Sequence, residues 1–129
     1  MLSTLRVNNF AIIDELEIDF KSGMTTLTGE TGAGKSIILG ALKLVLGERA
    51  DLKTLKNEKE KCIIEAIFNI KELELQAFFE EHDLDYEDES ILRRELLPSG
   101  KSRAFINYTP VKVSILHELS ELLIDIHSQ

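Results

Sequence analysis

The stretch that decides the fold is "GETGAGKS", Gly29–Ser36. It satisfies the G-x-x-x-x-G-K-[ST] pattern of a phosphate-binding loop through Gly29, Gly34, Lys35 and Ser36. The strand-like run "MTTLT" precedes it and the apolar run "IILGALKLVLG" follows it. A loop of this kind needs a strand before it and a helix after it, so the sequence predicts a P-loop nucleotide-binding site.

Each part of the loop has a physical task. Glycines permit close approach of the backbone to a ligand, and the loop N–H groups together with the helix N-terminus attract phosphate. Lys35 is expected to reach the β- and γ-phosphates of ATP, and the Ser36 hydroxyl is expected to bind Mg²⁺. The residues expected around the phosphates are Gly29, Glu30, Thr31, Gly32, Ala33, Gly34, Lys35 and Ser36. The following helix is predicted over Ser36–Leu46, buried on nearly every side, with Gly47 as its C-cap.

Composition restricts the classes of protein. The chain has 129 residues, enough for one domain, and a formal net charge of −8 from 23 acidic and 15 basic residues. Such an acidic surface is a poor DNA-binding face by itself. Cys62 is the one cysteine, predicted to be a small buried hydrophobe in a protein of a reducing compartment. No signal peptide or membrane span is expected, which favours a cytoplasmic protein.

The rest of the chain alternates between strand and helix patterns. Strands are predicted at "TLRVNNF", "DELEIDF" and "CIIEAIFNI", and a hairpin is predicted where "ILRRELL" and "SRAFINYT" flank "PSGK". The charged stretch "ERADLKTLKNEKEK" is interpreted as a surface loop, and "KELELQAFFEEHDLD" as a short amphipathic helix. Thr109 and Pro110 are interpreted as the N-cap and first residue of a last helix. Its apolar stripe is Val113, Leu116, Leu119, Leu122 and Leu123.

Hydrolysis of a nucleotide also needs an acid that holds Mg²⁺. Asp125 in "LLID" has the form of a Walker B strand. Against that interpretation, Ile126 stands where many such enzymes have a catalytic Glu, and the preceding leucines continue a helical stripe. A compact P-loop kinase or other NTPase, complete in this chain, therefore remains an alternative.

The order of four segments carries a more specific resemblance. They are "LRVNNFAIIDELEIDF", "GMTTLTGETGAGKSIILGALKLVLGERAD", "SRAFINYTPV" and "LLIDIHSQ". Together they resemble the RecN family of bacterial DNA repair proteins, in the SMC-like branch of the ABC ATPases. The resemblance implies an α/β P-loop fold in which residues 1–129 form the N-terminal lobe of a split head, with a P-loop helix and a mixed or antiparallel sheet. A coiled coil and a C-terminal lobe would lie outside this chain.

The resemblance also assigns residues near the end of the sequence. Gln129 would be the Q-loop glutamine, whose amide contacts Mg²⁺ and the attacking water. Asp125 would then be a strand residue leading into the Q-loop, and His127 would not be the switch histidine, which belongs to the missing lobe. Two positions depart from related patterns: Ser128 replaces the glycine of "IHGQ", and Ala11 stands where SMC and Rad50 relatives have an arginine.

The function implied by the resemblance is ATP-dependent recombinational repair of DNA double-strand breaks. Two heads of a homodimer would close around ATP, and hydrolysis would release them and alter DNA engagement. The expected partners are DNA, the second head and the C-terminal lobe, in a bacterial nucleoid-associated protein, and this chain alone would be inactive because it lacks the signature motif and Walker B. A DNA-organising ATP clamp of the SMC or RecF type remains an alternative.

For five basic residues the sequence leaves two interpretations open, contact with a nucleotide or DNA and simple exposure to solvent. Arg49 in "GERAD" occupies a region where SMC-type heads carry an arginine close to nucleotide or DNA, but it also fits an exposed helix end. The hairpin carries Arg93, Arg94, Lys101 and Arg103. These four side chains either contact phosphates or form an ordinary solvent-facing rim.

Overall fold

The computed structural model describes residues 1–20, 32–50 and 52–127. The strands are β1 (Leu2–Phe10), β2 (Ile13–Asp19), β3 (Cys62–Asn69), β4 (Glu89–Leu96), β5 (Ser102–Ile106) and β6 (Thr109–Val111). The helices are α1 (Gly32–Val45), α2 (Gln76–Glu81) and α3 (Val113–His127), with 3-10 turns at Leu52–Thr54 and Lys71–Leu73. The predicted strand "MTTLT" lies outside the described residues.

The six described strands form one antiparallel sheet in the order β2-β1-β3-β4-β5-β6. Leu5, Ala66, Leu92 and Ile106 are register partners across β1, β3, β4 and β5, and all four are fully buried. Since side chains alternate along a strand, this row marks the face that lies against the helices. The predicted α/β fold with an antiparallel sheet portion is thereby confirmed.

Helices α1 and α3 pack on that face and complete one core. Ala41, Leu44 and Val45 of α1 are buried, as are Leu116, Leu119 and Leu123 of α3. The predicted stripe of α3 is therefore largely confirmed, although Leu122 is exposed. For α1 the prediction of burial on nearly every side is wrong, because Leu39 is 51% exposed and the side chains of Lys35, Ser36 and Lys43 face solvent.

The predicted helix start at Thr109 and Pro110 is wrong. Both residues belong to β6, where Pro110 is the register partner of Phe105. The cause is the preceding pair, Asn107 and Tyr108, whose φ angles of 47° and 70° build a two-residue hairpin turn. Because β6 lies at the edge of the sheet that the described residues form, the missing N–H of Pro110 costs no interior sheet hydrogen bond there.

Two charged segments supply apolar side chains to the core. Leu55, in the stretch interpreted as a surface loop, is 6% exposed and forms a bridge with Phe10. The predicted amphipathic helix is reduced to α2 and a preceding 3-10 turn, with Phe79 and Leu75 buried. Cys62 is fully buried, as predicted, and burial raises the pKa of its thiol to about 11.

Candidate functional site

The phosphate-binding pattern lies across the start of α1. The helix begins at Gly32, earlier than predicted and inside the pattern, so the first N–H groups of the helix belong to the glycine-rich loop. Lys35 and Ser36 are exposed, and Gly34 is half-buried. No acidic residue occupies the first turn of the helix, so no carboxylate of that turn offsets the partial positive charge of the helix N-terminus.

Several predicted site residues lie beyond what the structure describes. Gly29, Glu30 and Thr31 precede the described part of α1, and Gln129 follows the described part of α3. In the described ranges no group of three His, Cys, Asp or Glu side chains could hold a metal ion. Within those ranges Ser36 is the predicted Mg²⁺ ligand, and its exposure leaves the hydroxyl accessible.

The opposite end of α1 is closed by a Schellman motif. The N–H of Gly47 donates to the carbonyl of Leu44 at 3.1 Å, and the N–H of Glu48 donates to the carbonyl of Lys43 at 3.1 Å. Gly47 has a φ of 101°, which confirms it as the predicted cap. A Cβ at position 47 would lie 2.9 Å from the Cα of His117 on α3, so glycine also allows the two helices to meet.

Arg94 reaches this same helix end from the sheet. Its Nη1 donates to the carbonyls of Leu44 and Glu48, both at 2.8 Å, and its Nε donates to the Ser102 hydroxyl at 2.7 Å. The residue is 3% exposed, and desolvation lowers the pKa of its guanidinium. Arg94 is therefore neither an accessible phosphate contact nor part of a solvent-facing rim, so both alternatives left open by the sequence are wrong for this residue.

Arg93 points to the other face of the sheet and forms an ion-pair network. Its Nη1 lies 2.7 Å from Glu65 and its Nη2 lies 2.8 Å from Glu95. Burial acts to lower the pKa of Arg93, but the hydrogen bonds to the two carboxylates outweigh it and raise that pKa.

Other cations surround the same two carboxylates. Arg103 and Lys61 lie 3.7 Å from Glu95, and Arg6 pairs with Glu65 and Glu17. The hairpin arginines on this face are neutralised by carboxylates, whereas Lys101 is exposed.

The C-terminal candidates do not form the expected strand. Asp125 and His127 lie within α3, so both the Walker B strand and the strand leading into a Q-loop are wrong for Asp125. The leucine stripe of α3, buried against the sheet, stabilises a helix there. Arg49 is exposed at the end of α1, where either of its readings remains a prediction.

Asparagine side chains hold two loops in a way that the sequence analysis missed. The Asn9 side chain accepts from the N–H of Asn57 at 2.7 Å and donates to the carbonyls of Asn57 and Glu60 at 3.0 Å. The Asn107 side chain accepts from the N–H of Ile91 at 2.8 Å. Both residues have positive φ angles, and an asparagine beside a strand end was the available signal.

The family model for the AAA domain matches residues 4–124, which include the described strands β2 to β5 and helix α1. The chain belongs to this family. Relatives of this chain include DNA repair protein RecN of Vibrio cholerae, which is 44% identical over all of this chain and 24% of the relative. DNA repair protein RecN of Bacillus subtilis is 40% identical over all of this chain and 23% of the relative. The resemblance to RecN is confirmed, and this chain spans about a quarter of the length of these relatives.

Similar solved structures confirm the fold of this chain. A structure described under ATP-driven dimerization and DNA-stimulated activation of SMC ATPases matches with a TM-score of 0.70 at 22% identity, over 95% of this chain and 79% of that one. The recombination mediator protein RecF matches with a TM-score of 0.62 at 15% identity, over 90% of this chain and 29% of that one. In the described ranges no helix has the length and apolarity needed to cross a membrane.

Proposed function

We propose that this chain is the ATP-binding lobe, residues 1–129, of a RecN-like ATPase that acts in recombinational repair of DNA double-strand breaks. The observation that carries the proposal is the start of α1 inside the Walker A pattern, with Lys35 and Ser36 exposed in its first turns. Two relatives with 44% and 40% identity are named DNA repair protein RecN, which supports the repair role.

The residues present fit a magnesium nucleotide. The backbone N–H groups from Gly29 to Gly34 would hold the phosphates, and Lys35 would neutralise charge on the β- and γ-phosphates. The Ser36 hydroxyl would bind Mg²⁺, and Gln129 would contact Mg²⁺ and orient the attacking water. When bound, Mg²⁺ supplies charge stabilisation for phosphoryl transfer.

Hydrolysis would need groups that this chain does not supply. Asp125 lies in a helix, which disfavours a complete kinase or NTPase in these residues. We infer that a C-terminal lobe and a second head complete the site, since ATP-driven dimerization is described for the SMC ATPases that share this fold. An apolar groove of about 400 Å³ supports a docked lobe; it is lined by Met1, Leu2, Leu42, Leu46, Phe68, Leu123 and Ile124.

DNA and cellular location follow from the same proposal. The lobe would contact DNA only weakly, because its net charge is −8. The full-length protein would supply the basic surface and associate with the nucleoid in the cytoplasm. A DNA-organising clamp of the SMC or RecF type is the second candidate, favoured by the fold neighbours of both kinds.

Hydrolysis by the full-length protein tests the proposal. ATP turnover should be lost on Lys35→Ala and retained on Lys43→Ala, since Lys43 is an exposed lysine in the last turn of the same helix. The 129-residue chain alone should hydrolyse ATP no faster than buffer. Turnover by that chain, abolished by Asp125→Asn, would instead support the self-contained NTPase. Loss of ATP-dependent DNA clamping in Lys35→Ala, with double-strand-break repair retained, would favour the DNA-organising clamp.

A further inference from the structure

Helix α1 is attached to the sheet more firmly at one end than at the other. Ala41, Leu44 and Val45, in its second half, are at most 4% exposed. In the first half Lys35 and Ser36 are exposed, and Ile37 and Ile38 are only partly buried; Leu39, at the middle of the helix, is exposed as well. The residues that would meet phosphate therefore lie at the less firmly packed end of a 14-residue helix.

Arg94 connects the C-terminal end of α1 to the sheet through hydrogen bonds. Its guanidinium reaches two carbonyls at the C-terminus of α1, Leu44 and Glu48, each at 2.8 Å. A cation is stabilising there because carbonyls and the helix dipole both present negative charge. The hydroxyl of Ser102, on the neighbouring strand β5, accepts from Nε at 2.7 Å and fixes the plane of the guanidinium.

A change in this connection would change the angle at which α1 lies on the sheet. Lys35 and Leu44 are separated by about 14 Å at the ordinary rise of an α-helix. A tilt of about 4° at the capped end would displace Lys35 by about 1 Å, and a shift of that size at a reacting centre can cost up to about a hundredfold in rate. A lysine could not reproduce the connection fully, because only the planar guanidinium offers both Nη1 and Nε donors in fixed positions.

We propose that Arg94 is a positioning residue, which acts through the C-terminus of α1 to place Lys35 and Ser36 for phosphate binding. The inference rests on the proposed nucleotide binding. Arg94 would thus influence ATP affinity from β4, although it contacts the end of α1 that is remote from the phosphates.

The test compares full-length variants by titration with a fluorescent ATP analogue. The Arg94→Gln variant should bind at least about fivefold more weakly than wild type. Ser102→Ala keeps the arginine and removes its hydroxyl partner, so it should weaken binding by a smaller factor. Arg94→Lys should give an intermediate affinity. The control is Ile106→Val, a fully buried β5 position that removes one methylene and does not belong to α1 or its cap.

A second readout separates positioning from loss of structure. Amide hydrogen exchange should accelerate at residues 34–38 as well as 45–48 in Arg94→Gln and in Ser102→Ala, while Ile106→Val should leave both segments unchanged. Wild-type affinity in Arg94→Gln and Ser102→Ala would overturn the inference. If Arg94→Gln does not fold, Ser102→Ala and Arg94→Lys decide it by the same criteria. Equal binding by wild type and Lys35→Ala would instead overturn the proposed function, and the inference with it.

Discussion

Glu65 on β3 and Arg93 on β4 lie directly opposite each other in the sheet, with their charged groups 2.7 Å apart. The pair is the centre of a network on the face away from the helices. Glu95 is only 6% exposed at its side chain and receives Arg93 on one side, with Arg103 and Lys61 at 3.7 Å. Arg93 and Arg103 are therefore part of the sheet's own ion-pair network.

The network should contribute to stability mainly through Arg93. Arg93→Ala leaves two largely buried carboxylates without their close partner, so it should lower the free energy of unfolding by about 2 kcal/mol. Arg103→Ala is the control, since that side chain is 56% exposed and should change stability by less than about 0.5 kcal/mol. Urea unfolding of both variants checks this. Equal effects of the two substitutions would contradict the network described here.

DNA affinity should not depend on the exposed cations of the hairpin. The double variant Lys101→Ala/Arg103→Ala should bind duplex DNA like the wild-type full-length protein, measured by anisotropy across a salt series. If both side chains contacted phosphates, the slope of log affinity against log salt would fall in magnitude by about 1.8. A change of that size would restore the hairpin as a DNA contact.

Two glycines of α1 and its cap should respond oppositely to alanine. Gly47→Ala should lower the free energy of unfolding by about 2 kcal/mol, because the position has a φ of 101° and a Cβ would lie 2.9 Å from the His117 backbone. Gly40→Ala should raise it by about 0.5 kcal/mol, since its Cβ would make ordinary van der Waals contact with the Phe10 ring, 3.5 Å from Cζ and 3.8 Å from Cε2. Thermal and urea unfolding measure both. A neutral Gly47→Ala would disprove the close approach of α1 and α3.

The buried thiol of Cys62 should make stability fall in alkaline solution. Burial raises its pKa from 9.0 to about 11, so the folded state favours the neutral thiol. That contribution is present below pH 9 and is lost as the pH rises towards 11. Between pH 8 and pH 10.5 the wild type should lose about 1–2 kcal/mol more stability than Cys62→Ala. Identical pH dependence of the two proteins would contradict it, as would fast reaction of the native thiol with a thiol reagent at pH 8.

Local sequence pattern was enough to predict most strands and the C-terminal cap of α1. The alternation in β2 and β3, the hairpin turn before β5 and the cap at Gly47 are short-range features, and each was predicted correctly. The predicted alternation succeeds because one face of an antiparallel sheet is buried. The resemblance to RecN extended that reading to the whole chain.

The features that the sequence did not predict depend on contacts between residues far apart in the chain. Pro110 matches the first position of a helix as well as an edge strand, and only the turn at Asn107 and Tyr108 decides between them. Arg93 and Arg94 are adjacent in sequence but face opposite sides of the sheet, so their positive charges never form one patch. The hydrogen-bond partners of Arg94 depend on where α1 ends relative to β4, and no local sequence pattern specifies that position. Asp125 shows the same limit, because its apolar neighbours suit a strand or a helix.

The central claim is that the N-terminal end of α1 binds ATP phosphates. Its most direct test is equilibrium titration of a fluorescent ATP analogue with Mg²⁺ into full-length wild type, Lys35→Ala and Lys43→Ala. The account predicts saturable binding by wild type and Lys43→Ala, with a loss of at least about tenfold for Lys35→Ala. Equal affinities of all three proteins, or no saturable binding by wild type, would contradict it.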